Sequence, residues 1–90
     1  MLFMVIEHFK NRDALPVYKR FQETGRSMPD GLQYIDSWVE ANLGRCFQLM
    51  EYDDPLLFQE WISQWRDLVE FEIVPVVSSV ETRKLMTSGM

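Results

Sequence analysis

The order of strand-like and helix-like segments constrains this chain more than any other feature. Residues 2–9, 32–39, 45–52 and 69–77 are rich in β-branched and aromatic residues, which favour strands. Apolar residues recur at helical spacing after the first and the third of these segments. The predicted order of elements is therefore β-α-β-β-α-β.

Local signals mark the ends of both predicted helices. Asn11 or Asp13 can cap the free amides of the first helix, and Gly25 suits the position just after its last turn. The Asp-Asp-Pro run at residues 53–55 combines a capping carboxylate with a proline in the first turn, which predicts the start of the second helix.

This order of elements predicts an α+β fold. With right-handed crossovers, the common solution is a ferredoxin-like βαββαβ sandwich, in which both helices cover one face of an antiparallel sheet. The predicted strand order is 4-1-3-2. Pro75 cannot donate to a strand ladder, so the last strand is expected at an edge of the sheet.

The turn between the second and third strands fixes how they pair. We predict the turn at residues 40–44, with Asn42 and Gly44 able to adopt positive φ. The strand register then opposes Trp38 to Phe47, Ser37 to Gln48, and Asp36 to Leu49. A slip of one residue would exchange the two faces of the sheet.

Each face of the sheet is predicted to have its own set of side chains. The face beneath the helices is expected to carry Leu32, Trp38, Phe47, Leu49, Val69, Phe71 and Ile73. The opposite face is expected to carry Ile35, Val39, Met50, Val74 and Val76, together with Gln33, Ser37, Gln48, Glu70 and Glu72.

Two helices can cover only one face of this sheet. Four strands about 4.8 Å apart and about 20–23 Å long leave roughly 400 Å² on the other face. An apolar patch of that size matches the largest patches on monomeric proteins. The sequence therefore predicts a homodimer through the sheet face, which would form a dimeric α/β barrel with an interior suited to a pocket.

The last residues are predicted to lie outside the domain, which would span residues 1–77. A chain of 90 residues is too short for two domains. In the tail, residues 78–90, Ser78 and Glu81 could form a capping box that opens a short helix through Leu85. Residues 87–90 are expected to be disordered.

Charge and cysteine content exclude several kinds of site. The net charge is −5, whereas nucleic acids and anionic membranes need clustered Lys and Arg, so neither is expected as a partner. The longest apolar run, residues 1–6, is too short for a membrane span or an export signal, which predicts a cytoplasmic protein. Cys46 is the single cysteine, so neither a disulfide nor a metal site is predicted, and no cofactor is expected.

Several motifs resemble one family of small bacterial proteins of unknown function, the DUF3303 type. The pattern comprises Gly31-Leu-x-Tyr-x-Asp-Ser-Trp38, Arg45-Cys-Phe-Gln-Leu-Met-Glu51, Asp54-Pro55, Trp61, Trp65-x-Asp67 and Val74-Pro-Val76. It covers about residues 1–77. The resemblance implies the dimeric α/β-barrel superfamily and a homodimer. It implies no catalytic residues, because none is established for this family. The superfamily includes monooxygenases, isomerases and ligand-binding domains, so the fold alone does not predict a function.

Titratable residues near the strands are candidates for acid–base chemistry. His8 lies near the end of the first strand, and histidine is a common acid or base in catalysis. Glu72 lies on one face of the last strand with Glu70. Glu7 is a similar candidate. A solvent-facing His8 and edge-strand carboxylates that block sheet-to-sheet association explain the same residues without catalysis.

Four residues are candidates for binding a ligand. Ser37 and Gln48 are predicted to be neighbours that could orient a carbonyl or hydroxyl group. Tyr34 and Trp38 could form aromatic walls. Hydrogen bonds between Ser37 and Gln48, and ordinary packing of the aromatic rings, are the alternative interpretation.

Three functions remain open from the sequence. The first is a homodimer that binds a small apolar or aromatic molecule. The second is a cofactorless monooxygenase-like or isomerase-like enzyme, in which His8 or an interior Glu removes a proton from a carbon acid. The third is a structural or stress-related dimer without a ligand.

Overall fold

The protein was analysed as a computed structural model that describes residues 1–89. It contains four strands and three α-helices, with a short 3-10 turn after the first strand. The elements are β1 (Leu2–Phe9), the 3-10 turn (Lys10–Arg12), α1 (Leu15–Thr24), β2 (Gln33–Val39), β3 (Arg45–Glu51), α2 (Leu56–Trp65), β4 (Val69–Pro75) and α3 (Ser79–Thr87).

The strands form one antiparallel sheet in the order β2-β3-β1-β4. This is the predicted ferredoxin-like order read from the opposite edge, so the predicted fold class is confirmed. The predicted register is also confirmed, because Trp38 pairs with Phe47 and Ser37 with Gln48. Strand β4 forms one edge, as the proline in its sequence predicted.

The prediction of which face lies beneath the helices is wrong for β2 and β3. The buried residues of β3 are Cys46, Gln48 and Met50, and the paired residues of β2 share their side of the sheet. Trp38 therefore lies on the face of the sheet opposite the helices, which we call the open face, and it is 51% exposed. The prediction for β4 holds, since Val69 is buried.

Helix α2 supplies the aromatic residues that take the place predicted for Trp38 and Phe47 between the helices and the sheet. Its residues Phe58, Trp61 and Trp65 are buried and supply most of the bulk between the helices and the sheet. Tyr52 packs edge-on against Phe58, with ring centroids 3.9 Å apart. Rings from the helix fill the space that the sequence interpretation had assigned to rings from β2 and β3, and close packing leaves no room for both.

An aspartate side chain accepts a backbone hydrogen bond at the start of each helix of the sandwich. The Oδ1 atom of Asp13 accepts a hydrogen bond from the Leu15 amide at 3.1 Å, and Asp54 does the same for Leu56 at 3.0 Å. Gly25 ends α1 with φ of 68°, which confirms its predicted position. In the β2–β3 turn the positive φ falls on Leu43 rather than on Asn42 or Gly44, because the Asn42 side chain instead accepts from the Gly44 amide.

The tail is more regular than predicted. Ser78 caps α3 by accepting a hydrogen bond from the Glu81 amide, as predicted. The helix continues past Leu85 to Thr87, so the prediction that residues 87–90 are disordered is wrong for Thr87. Met90 lies outside the described residues. All residues of α3 are exposed. The radius of gyration, 15.1 Å, exceeds the roughly 12 Å typical of a compact chain of this length, because α3 extends away from the sandwich.

Among the helices of residues 1–89, none has both the length and the apolar character needed to cross a bilayer.

Candidate functional site

A cavity of about 150 Å³ lies between the sheet and the helices. Its apolar wall includes Phe9 from β1, Val17 and Phe21 from α1, and Trp61 and Trp65 from α2. Phe21 is 40% exposed and borders the outer part of the cavity, whereas the two indoles are almost fully buried. The cavity therefore has a closed, aromatic inner end and an outer end that opens to solvent.

Two polar side chains occupy the sheet wall of this cavity. Glu7 on β1 and Gln48 on β3 are 5% and 7% exposed. The Nε2 atom of Gln48 donates a hydrogen bond to Oε1 of Glu7. The Oε1 atom of Gln48 is buried and has no hydrogen-bond partner among residues 1–89. Since buried polar atoms are almost always paired, this oxygen marks a place where a donor is missing.

Burial raises the pKa of Glu7 from 4.5 to about 7, and the nearby Arg26 guanidinium opposes part of this rise. The cause is the loss of hydration around the charged carboxylate. Within residues 1–89, no Lys, Arg or His nitrogen lies within the 4.0 Å of Glu7 that defines a salt bridge. The carboxyl group therefore changes charge near neutral pH.

A β-bulge organises the polar edge of the cavity. Tyr34 pairs with Met50 and Asp36 with Leu49, so Ile35 is an extra residue in β2. The bulge places Tyr34 and Ser37 on the same face, although they are three residues apart. Their hydroxyl groups are hydrogen-bonded at 2.6 Å.

Arg26 connects the loop after α1 to both the cavity and the sheet. Its carbonyl oxygen accepts hydrogen bonds from the indole nitrogens of Trp61 and Trp65, each at 2.9 Å. Its guanidinium lies 3.8 Å from the ring centroid of Tyr34, a cation–π contact. This loop is thus fixed by buried indoles and presents a positive charge to the cavity.

Two further groups in the cavity wall stay protonated at neutral pH. Burial, with a contribution from Glu7, raises the pKa of the Cys46 thiol from 9.0 to about 12. Burial also raises the pKa of Tyr18, with smaller contributions from Cys46 and Glu7. Glu7 is therefore the group of the three whose protonation changes in the physiological range.

The structure brings together three of the four predicted ligand-binding residues. Ser37 and Gln48 line the cavity, and Tyr34 is hydrogen-bonded to Ser37 at its edge. Trp38 lies on the open face of the sheet, away from this group.

The predicted catalytic candidates lie elsewhere. His8 and Glu72 are hydrogen-bonded to each other through Nε2 and Oε1, and both are partly exposed. His8 follows Glu7 on β1, and Glu72 follows Phe71 on β4. Because side chains alternate along a strand, both lie on the open face, opposite Glu7. Neither of them lines the cavity that contains Glu7.

Sequence reasoning missed the contributions of Arg26, Trp61 and Trp65 to this cavity. Arg26 lies in a loop whose path has no periodic signal. Trp61 and Trp65 are four residues apart in the sequence, and this spacing on a helix does predict that both indoles face the same neighbour. That neighbour is the carbonyl of Arg26.

The fold and the cavity define a class of protein: a ferredoxin-like α+β domain with a site between the sheet and the helices that contains a buried carboxyl group. A family profile described as "Domain of unknown function (DUF3303)" matches residues 1–90. The chain belongs to this family, and the match includes the tail that the motif pattern had left out. No curated protein and no solved structure matches the chain at a significant level.

Proposed function

We propose that this protein binds a small aromatic molecule with one hydrogen-bonding end in the cavity between the sheet and the helices. The observation that supports this most is the unpartnered Oε1 of Gln48, which lies in an otherwise aromatic site beside Glu7. A ligand hydroxyl group would supply the missing donor.

The size of the cavity favours a single ring. An apolar protein cavity of about 150 Å³ accommodates benzene, and the cavity here has the same volume, about 150 Å³. The indoles of Trp61 and Trp65 provide flat, rigid walls for such a ring. Substituents could extend past the exposed Phe21 into solvent.

The charges around the cavity favour a phenol over a plain hydrocarbon. A phenolic O–H can donate to Gln48 Oε1 or to the Glu7 carboxylate. Arg26 places a positive charge near the same wall, which favours an electron-rich oxygen on the ligand. The proposed ligand class is therefore small phenols and their close relatives.

A thermal-shift titration with phenol, and with toluene as the matched apolar ring, tests this proposal. Binding to the native state raises Tm with ligand concentration. We expect phenol to give the larger shift, and the Gln48→Leu variant to reduce the difference between the two ligands. Equal shifts for the two rings, or no shift up to the solubility limit, would contradict it.

We also propose that a second copy of the chain covers the open face of the sheet. Alternation places Met4, Ile6, Phe47, Leu49 and Trp38 on this face. The face alone offers roughly 400 Å², about half of the 800 Å² per partner in a typical stable interface. Helix α3 supplies further apolar area through Val80, Leu85 and Met86, which are exposed.

Sedimentation velocity across a range of micromolar concentrations tests the dimer. We expect the wild-type chain to sediment as a dimer and Trp38→Lys to shift it toward the monomer, because the variant would place an unpaired charge in the interface. Gln59→Lys, at an exposed position of α2 on the other side of the sheet, adds the same charge outside the proposed interface and controls for a general effect of surface charge. A wild-type chain that is monomeric throughout this range would rule out the dimer.

A further inference from the structure

We propose that Glu7 is a catalytic base that removes a proton from a carbon atom of the bound molecule, next to a carbonyl group, and returns it at another position. The protein would then be an isomerase of small cyclic unsaturated ketones, in which the C=C bond moves into conjugation with the carbonyl group. This inference rests on the proposed function, because the substrate must occupy the same cavity.

The position of Glu7 is the first reason. It lies in the middle of the central strands, with its backbone held by β3 on one side and β4 on the other, where it pairs with Cys46 and Phe71. A base on a rigid strand keeps its geometry when the substrate binds. Its side chain lines the cavity and is nearly inaccessible to bulk water.

The second reason is the way its partners leave it reactive. Gln48 donates to one carboxylate oxygen, Oε1, and this hydrogen bond fixes the orientation of the group. Within residues 1–89, Gln48 is the one residue that donates a hydrogen bond to this carboxylate. The second oxygen is thus available for a proton from the substrate. A carboxylate with incomplete solvation is a stronger base than one in water.

The proton transfer balances without a co-reactant. Glu7 takes a proton from the α-carbon of a β,γ-unsaturated ketone, the C–H electron pair forms a C=C bond to the carbonyl carbon, and the carbonyl π electrons move onto oxygen to give a dienolate. The protonated Glu7 then gives the proton to the γ-carbon. The oxygen electrons re-form the C=O bond, the new C=C pair moves to the α- and β-carbons, and the original C=C pair forms the new C–H bond. The positive charge of Arg26 at the cavity wall would stabilise the enolate oxygen.

The other titratable groups near Glu7 do not compete for this role. They are Tyr18 on α1, Arg26 in the following loop and Cys46 on β3. The hydroxyl group of Tyr18 and the thiol of Cys46 both stay protonated at neutral pH, because burial raises the pKa of each.

Deuterium exchange of the α-protons of cyclohexanone in D₂O, followed by proton NMR, tests the proposal with a probe of suitable size. We expect the wild-type protein to accelerate exchange in a saturable manner that phenol inhibits. The rate should rise with pH and level off above about 7, since the carboxylate is the base. Glu7→Gln should lower the maximal rate at least about 100-fold, the usual range for loss of a general base.

Two controls separate this role from a structural one. Glu23→Gln makes the same change on the exposed side of α1 and should leave exchange unchanged. Glu7→Asp should retain part of the maximal rate with a similar KM, because the base is kept but displaced.

The outcomes of this test distinguish the two proposals. Wild-type exchange at the rate of buffer, while phenol still raises Tm, would overturn the catalytic role and leave the binding site intact. Exchange that Glu7→Gln does not reduce would also overturn it. The absence of both exchange and phenol binding would overturn the catalytic role together with the proposed function.

Discussion

Gln48 donates a hydrogen bond to Glu7 across the two central strands, while its own carbonyl oxygen remains without a partner among residues 1–89. The pair leaves one donor missing in a cavity whose wall is mostly apolar. The same pair leaves a carboxyl group poised between two charge states near pH 7. Both properties follow from placing a polar pair beneath the helices, where a core would normally be apolar.

Glu7 should make stability fall as pH rises. Its folded pKa of about 7 lies above the unfolded value of 4.5, so the folded state holds the proton more tightly. Its contribution is fully favourable below pH 4.5 and is lost between pH 4.5 and about 7. Relative to Glu7→Gln, the wild-type free energy of unfolding should fall by about 3 kcal/mol over this window. Urea unfolding at several pH values measures it, and parallel pH profiles would contradict the burial of this carboxyl group.

Gln48→Leu should raise the pKa of Glu7 further. The Gln48 amide favours the charged carboxylate, and leucine removes that donor without opening space. We expect a loss of about 1–2 kcal/mol in the free energy of unfolding at pH 8, and a smaller loss at pH 5, where the carboxyl is neutral. A ¹³C NMR titration of labelled glutamate side chains reports the pKa directly. An unchanged titration would mean that the amide does not act on the carboxylate.

Trp61 and Trp65 should show coupled effects on stability, since both indoles donate to the carbonyl of Arg26. Replacing either one with Phe leaves the carbonyl one donor, whereas replacing both leaves it unpaired in a partly buried position. We expect the double variant to lose about 1 kcal/mol more than the sum of the single losses. A double-mutant cycle in urea measures this coupling. Additive losses would show that the carbonyl finds another partner, such as water.

Cys46 should be nearly inert in the folded protein. Because its pKa is raised from 9.0 to about 12, the thiolate fraction falls about 1000-fold below that of an unperturbed thiol at pH 8. Iodoacetamide should therefore alkylate the native protein at least that much more slowly than the protein in urea. Rapid native labelling would contradict the burial of β3 beneath the helices, and mass spectrometry would detect it.

The sequence predicts the connectivity of this fold better than the orientation of its side chains. Strand order and register follow from local signals, such as the turn before Arg45 and the proline at residue 75. Orientation depends on which rings fill the interior. Because α2 supplies Phe58 and the two tryptophans, Trp38 is left on the open face. That outcome is set by packing between distant segments, for which a single strand has no signal.

The candidate site was predictable in part. Ser37 and Gln48 were identified as neighbours, and they do share one wall of the cavity. The sequence offered Glu7 as one of several candidates for acid–base chemistry. Only the packed structure shows that Glu7 is buried beneath the helices, whereas Glu72 lies on the open face with His8. A polar residue inside an apolar strand is a weak signal by itself. It becomes specific once its depth and its neighbours are known.

The central claim is that the cavity between the sheet and the helices receives an aromatic ring, and a titration of ¹⁵N-labelled protein with phenol tests it most directly. The account predicts saturable shifts for amides around the cavity, including Phe9, Val17, Ser37 and Cys46, with little change on α3. Shifts confined to residues of the open face such as Leu49, or no saturable shifts at millimolar phenol, would contradict it.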